Sequence, residues 1–365
     1  PHSLGDSSSS VSSQAPRGGL LSPASAAIAS SGFDSDNLYA LAASTVAASD
    51  KSRLLRSEAE QNEETSSWRG GRGGAVALND NCWAYSTESI FQLLYPLDAI
   101  RLGRFITKRR EITHITCQDP FLTAMAGISL KKQFKDKVQL ELQLHTDIAS
   151  PYFSHSVLNG IRKFMALSYL PRADSIRVVS NRLKNYLIEK LKIEESKITV
   201  RPITVDVEWI KTAPITVNLH DKYPQFEKIV LMASRFEKEK NIELAIHSWK
   251  KVVEKIPKAG LIIVGLGSEG PKLRSLSLKS GLRDSIKFEP WVSNGTLASY
   301  YKTADAFLST SLFEGYGMTF IEAQAAGCPI ISTDVGVAKE VGAKIVEFKE
   351  ESVAEAVVET FKRSK

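Results

Sequence analysis

From Ala84 onward the chain alternates short apolar runs with longer stretches whose apolar positions recur at helical spacing. Residues 90–106 predict a helix, 112–117 a short strand, and 120–132 a helix beside it. Residues 137–145 alternate polar with apolar and predict a strand that ends in a histidine. The segment 149–169 carries Tyr152, Phe153, Ile161 and Phe164, and is followed by a strand at 174–180, a helix at 182–191 and a strand at 197–200. After a stretch broken by Pro202, Pro214 and Pro224 the alternation resumes. Strands are expected at 228–234, 259–264, 285–292, 305–309, 330–333 and 343–348. Between them, helical spacing runs through Ile242, Leu244, Ala245, Trp249 and Val252, through Leu273 and Leu276, over 294–304, from Met318, and over 352–363. Strands that alternate with helices predict parallel sheets.

The first residues do not share this pattern. Residues 1–32 are rich in Ser, Ala, Gly and Pro and too poor in large apolar side chains to offset the cost of ordering. Residues 36–62 fit one or two weak helices through Leu38, Leu41, Val46, Leu54 and Leu55, and the glycine-rich turn 68–74 reads as a flexible linker or a phosphate- or RNA-contacting segment. The expected organisation is therefore a low-complexity or disordered segment over 1–75, a first α/β domain over 76–205, an interdomain linker over 206–226 and a second α/β domain over 227–365.

Charge sharpens this picture in one place. The formal net charge is +6, and residues 81–205 hold 19 basic against 11 acidic residues while the second domain is balanced. The excess gathers at Arg101, Arg104, Lys108, Arg109 and Arg110 and at Lys131, Lys132, Lys135 and Lys137. A solvated basic face is one reading. An anionic membrane surface met by region 101–137 is the sharper one, and nucleic acid is not expected, because no recognised binding module accompanies the charge. Cys82, Cys117 and Cys328 are odd in number and lack metal-ligand spacing, which points to a reducing compartment. No apolar run reaches the ~18 residues of a membrane span. The expected location is cytoplasmic, with peripheral contact to a membrane; the chain opens on Pro1, as a fragment or processed form would.

The chemistry concentrates in Ser309-Thr310-Ser311-Leu312-Phe313-Glu314-Gly315-Tyr316-Gly317-Met318-Thr319-Phe320-Ile321-Glu322-Ala323. A short apolar strand runs through a turn, where Gly315 and Gly317 permit a tight bend, into a helix opening near Met318. The unpaired N–H groups of that helix make an anion site. Glu322 lies about 6 Å along its axis, where a carboxylate can accept hydrogen bonds from vicinal hydroxyls. Taken alone, the two glutamates would fit an ordinary solvated turn better; the glycines shift the balance toward a site.

This stretch, with the Ala326-Gly327-Cys328-Pro329 that follows, resembles the Glu-x7-Glu signature of retaining glycosyltransferases of the GT-B fold, family 4 type. The resemblance implies an α/β fold of two Rossmann-like domains facing across a cleft, and a nucleotide-diphosphate sugar as donor. It implies that Arg235 and Lys240, an Arg-x4-Lys pair after a strand, grip the diphosphate, and that Gly265 and Gly267 form the turn beside the nucleotide. Gly315, Gly317, Met318 and Thr319 would seat the donor, Glu322 the ribose diol, and Glu314 the sugar hydroxyls. His145, at a strand end, is similar to the family histidine that faces the donor sugar; a capping or packing role at the strand end is the lesser alternative. Ser180 resembles a strand-end serine of the family and is more simply a helix cap. Asp206 resembles the aspartate after the crossing strand, and 352–363 the helix that crosses back to the first domain. Neither cofactor nor metal is expected: fixed cations stabilise the leaving diphosphate. The acceptor is an unknown glycan or lipid-linked hydroxyl.

Two features pull away from the family. It opens with an apolar strand and a glycine-rich turn, and residues 1–80 hold no counterpart, since Val76-Ala77-Leu78 is too short and too late. A nucleotide-sugar-binding protein without transfer activity is therefore an alternative. The run from Gly265 to Gly270 also fits G-x-G-x-x-G, but in a dinucleotide fold that turn follows the first strand of its unit, whereas here the strand at 228–234 comes before it. A sugar-nucleotide epimerase of the same fold is a further alternative, for which Glu-x7-Glu with Arg-x4-Lys is the wrong pattern.

Overall fold

The computed structural model describes Ala75–Asn79, Cys82–Tyr85 and residues 94–363. The segment expected to be disordered up to residue 74, the weak helices of 36–62, the turn at 68–74 and the start of the helix expected from Ile90 lie outside the described residues. The chain divides into two compact units. One contains the antiparallel hairpin of β1 (Ala75–Asn79) and β2 (Cys82–Tyr85). The other contains the described residues 94–363.

Within that larger unit the first sheet is wholly parallel, in the order β3 (His114–Cys117), β4 (Gln139–Leu144), β5 (Ser175–Val178), β6 (Ile198–Val200). Leu140, Leu142 and Leu144 of β4 are fully buried, so the alternation read from sequence does mark its core face. Lys137 ends a 3₁₀ turn instead of opening β4. The helices are α1 (Tyr95–Arg109), α2 (Leu122–Phe134), α3 (Val157–Tyr169) and α4 (Asn181–Leu191). Ser180 is the N-cap of α4, its Oγ accepting from the Leu183 N–H at 3.5 Å, and Lys192 closes that helix in the left-handed region at φ 55°.

The proline-broken connection is partly helical. It holds α5 (Val207–Thr212), capped by the Asp206 carboxylate on the Trp209 N–H, and α6 (Leu219–Lys222), capped by Asn218. Pro202, Pro214 and Pro224 all fall outside these helices, where a missing N–H costs nothing.

The second sheet has six parallel strands in the order β12-β11-β10-β7-β8-β9. These are β7 (Lys228–Ala233), β8 (Ala259–Val264), β9 (Ile286–Glu289), β10 (Ala306–Ser309), β11 (Ile330–Thr333) and β12 (Lys344–Val346). Continuous apolar runs in β7 and β8 reflect burial on both faces under flanking helices. Those helices are α7 (Ile242–Lys255), α8 (Gly270–Lys279), α9 (Asn294–Thr303), α10 (Met318–Ala325) and α11 (Glu350–Arg363). Residues 352–363 do not cross back to the first sheet. Val353, Ala354, Ala356, Val357 and Phe361 share the core of Trp249 and Val252 on α7, and Lys251 pairs with Glu351 at 3.1 Å across the same helix pair. Strand order reverses between β7 and β10, and in a doubly wound sheet ligands bind in the crevice beyond the strand ends at that reversal.

Candidate active site

The turns after β7, β8 and β10 are bound to one another by hydrogen bonds to backbone carbonyls. The Leu312 N–H donates to the Glu239 carbonyl at 2.8 Å, and Thr310 Oγ1 donates to the Asn241 carbonyl at 2.9 Å. On the other side Phe236 N–H donates to the Leu266 carbonyl at 2.8 Å, and Glu269 N–H to the Phe236 carbonyl at 2.9 Å. Gly265, at φ 147°, and Gly267 make this approach possible: a Cβ on either would land on a backbone carbonyl oxygen, of Ser234 or of Phe236. Gly270 opens α8.

Lys240 and Glu314 meet at the strand-order reversal. Lys240 Nζ donates to Glu314 Oε1 at 2.6 Å, Ser311 Oγ donates to the same oxygen at 2.8 Å, and the two charged side chains are only 13% and 18% exposed. Arg235 is separated from them. Its side chain is 60% exposed and pairs with Glu239 at 3.1 Å, so the Arg-x4-Lys pair splits into an inner lysine and an outer arginine.

Beyond Glu314, Gly317 turns the chain into α10 at φ 89°, and no side chain caps that helix. The Phe320 N–H returns to the Gly317 carbonyl at 3.0 Å, while Met318 and Thr319 occupy the first turn, Met318 exposed. Glu322 is held one turn on by the phenol of Tyr301, which donates to Oε2 at 3.0 Å. Burial raises the Glu322 carboxyl above its ordinary range, opposed by that hydrogen bond, and burial with the neighbouring Glu322 pushes the Tyr301 phenol well up. Glu322 thus has a buried donor on one oxygen and chemistry suited to hydroxyl donors on the other.

The end of β4 closes on this loop. Gly315 lies so near His145 that a Cβ on it would overlap the His145 carbonyl oxygen, and Gly336, at φ 50°, lies against the Tyr316 carbonyl from the other side. Ser150 Oγ donates to the Leu312 carbonyl at 3.3 Å, and the rings of Phe153 and Phe313 meet edge to face at 5.5 Å. The His145 tautomer follows from a chain of partners. The Glu141 carboxylate only accepts, so Gln143, whose Nε2 faces Glu141 at 3.4 Å and Thr116 at 3.0 Å, turns its carbonyl to His145 Nε2 at 2.8 Å. Nε2 therefore carries the proton, and Nδ1 keeps its lone pair. Burial, then the Arg177 charge, lower the His145 pKa below 6.5, so the ring is neutral at neutral pH.

Behind His145, Asp147 is fully buried, accepting from the N–H groups of Ala149 at 3.0 Å and Ser150 at 3.2 Å and from Arg182 Nε at 3.2 Å. Arg182 Nη1 reaches on to the Asp334 carboxylate at 3.3 Å, which also pairs with Lys339. Replacing Arg182 by Ala strands the Asp147 charge and is expected to cost about 2 kcal/mol at neutral pH, read as a fall in the urea midpoint at unchanged slope. Burial already raises the Asp147 pKa, with Arg182 opposing the rise. Without Arg182 the folded-state pKa climbs further. A raised carboxyl favours folding below its unfolded pKa and loses that contribution as pH rises, so the deficit of the variant shrinks toward about pH 4.

The structure therefore brings Lys240, Glu314, Gly315 and His145 together, sets Gly265 and Gly267 under the β7 turn, holds Glu322 on Tyr301, and leaves Arg235 at the rim. Sequence reading missed Ser311, Tyr301, Gln143 and the Asp147–Arg182–Asp334 chain. Only Ser311 had a local signal, a hydroxyl three residues before Glu314. Among the described residues no three of His, Cys, Asp and Glu gather in a metal-binding group, and no helix is long and apolar enough to cross a membrane.

Parallel α/β units joined through a strand-end site of this kind define the GT-B architecture. Comparison with known proteins agrees. Residues 220–361 match the family model "Glycosyl transferases group 1", and residues 79–209 match "Glycosyltransferase Family 4". A sucrose-phosphate synthase from Thermosynechococcus elongatus superposes with a TM-score of 0.66 at 20% identity, over 80% of this chain and 76% of that one. The Anabaena protein HepE, in complex with UDP, superposes at 0.58 and 18% identity over 72% and 73%. Among curated sequences, an alpha-monoglucosyldiacylglycerol synthase of Streptococcus pneumoniae is 25% identical over 62% of this chain and 53% of its own length. The chain belongs to the group 1 glycosyltransferases of the GT-B fold. It spans about half the length of the curated relatives it matches.

Proposed function

We propose that this protein is a retaining glycosyltransferase that moves a sugar from a nucleotide-diphosphate donor to an acceptor hydroxyl, without a metal, in glycan or glycolipid synthesis. The Lys240–Glu314 pair at the strand-order reversal carries the reading. A donor entering there exchanges the pair for two better partners. The diphosphate takes Lys240, and the sugar hydroxyls take Glu314. Arg235 swings from Glu239 on the rim to the outer phosphate, and the first-turn N–H groups at Met318 and Thr319 receive another phosphate oxygen. Glu322 binds the ribose diol, and His145 Nδ1 accepts from a sugar hydroxyl on the opposite side.

In the transfer itself the bond from the anomeric carbon to the diphosphate oxygen breaks, the bond to the acceptor oxygen forms on the same face, and the acceptor proton passes to the leaving diphosphate. Lys240 and Arg235 stabilise the charge that develops there. A lipid-linked acceptor at an anionic membrane surface, met by the basic region 101–137, fits the charge of the first domain and the name of the pneumococcal relative, an alpha-monoglucosyldiacylglycerol synthase. The test is thermal stability against UDP-, GDP- and ADP-sugars with EDTA present, followed by the anomeric configuration of the product. A shift with one nucleotide class and retained configuration are expected; no shift with any donor or nucleotide sinks the reading.

One observation favours a second reading, a donor-binding protein without turnover. Among the described residues β3 pairs only with β4, so the first sheet stops at four strands with no added strand beyond β3. Binding of a donor with neither transfer nor hydrolysis identifies that case.

A further inference from the structure

Helix α3 is built the wrong way round for a helix that packs on a core. Val157, Leu158, Ile161 and Phe164 are 85%, 58%, 53% and 72% exposed, and at 100° per residue they share an arc of about 120°. Ala166, its buried residue, lies opposite Val157 on the helical wheel. An ordinary surface helix turns its apolar stripe inward. This one presents it to solvent, and exposed apolar stripes of that kind mark interaction surfaces.

Charge selects the partner. The helix carries Arg162 and Lys163 and neither Asp nor Glu. It contacts α2, and α2 packs on α1. The outer face of α1 repeats the composition, with exposed Leu97, next to the exposed N-cap Leu94, followed at helical spacing by exposed Arg104 and Lys108, while the last turn of α2 carries exposed Lys132. A second copy of the chain on this face would set these cations against themselves. A bilayer that carries anionic headgroups receives both the apolar stripe and the basic border, and asks for no matching shape.

We infer that α3 is an interfacial helix that seats this protein on an anionic lipid surface, with Val157, Leu158, Ile161 and Phe164 below the headgroups and Arg162 and Lys163 among them. The inference rests on the proposal of a lipid-linked acceptor and deepens it. The turn Pro151–His155 leads into α3, and its Phe153, with Ser150 just before it, touches the donor loop. Docking through α3 therefore brings a headgroup hydroxyl to the His145 side of the site.

Sedimentation with phosphatidylcholine vesicles, with and without phosphatidylglycerol, tests it on the whole chain, next to the doubly substituted Ile161→Ser/Phe164→Ser and the charge variant Arg162→Glu/Lys163→Glu. Both pairs substitute side chains lying partly or wholly at the surface, and an unchanged thermal shift with the donor nucleotide certifies the folded site. The unaltered protein is expected to favour anionic vesicles, and each variant to lose at least about tenfold in partitioning. Equal binding by the serine variant overturns the inference, as does a change from dimer to monomer on making it, which would show the stripe covered by a second copy. Donor binding without vesicle binding sinks the inference alone; vesicle binding without donor binding sinks only the transferase reading.

Discussion

Gly315→Ala is expected to lower kcat/KM for transfer by at least about a hundredfold while the chain still folds. The added methyl has nowhere to go: its position falls on the His145 carbonyl oxygen, a backbone atom at the end of β4 that cannot rotate away. Either the loop that carries Glu314 retreats, or the end of β4 does. Both movements widen the gap between Glu314 and His145, the two groups proposed to hold the sugar from opposite sides. The stability cost is expected to be ~1–3 kcal/mol, the usual range for forcing a methyl into filled space. Gly160→Ala is the control. That position is helical, has open space around it, and should gain up to ~1 kcal/mol. If Gly315→Ala keeps full turnover with unchanged KM, the approach of β4 to the donor loop has no part in the reaction.

What could be read from the chain was whatever one segment decides for itself. Gly265, Gly267 and Gly317 show in the sequence because a positive φ or a close backbone approach permits no other residue, and Ser180 because a cap needs an oxygen at one position. Glu314 and Glu322 were found by their spacing across such a turn. Their partners were not. Tyr301 reaches Glu322 from a different helix, and Arg182 meets Asp334 from 152 positions away, so neither pairing has a local signature. The last helix shows the same limit. Periodicity finds its apolar face, and only the packed core shows that this face belongs to α7. The stripe of α3 is the extreme case: helical spacing groups its apolar residues on one side but does not say that the side faces out.

Lys240→Ala is expected to lower transfer by about a thousandfold, in the range of 2.7–4 kcal/mol seen when one fixed charge-stabilising group is removed from a reaction centre. The loss has two parts that can be separated. One is the missing cation at the diphosphate. The other comes from Glu314, which in this variant keeps its charge beside the phosphates with only Ser311 on its oxygen. Adding Glu314→Gln to Lys240→Ala removes that repulsion while keeping an amide for the sugar hydroxyls. Donor affinity, measured by calorimetry, should then recover by about tenfold over Lys240→Ala alone, while turnover stays low, because no group replaces the cation as the glycosidic bond breaks. The cycle, completed by the single Glu314→Gln variant, therefore gives a coupling between Lys240 and Glu314 that shows in donor binding and not in turnover. A merely structural ion pair gives a different pattern: the double variant would be more stable than either single one and would regain turnover in proportion. Strictly additive losses in donor affinity would mean that the two side chains, 2.6 Å apart in this structure, do not share one donor.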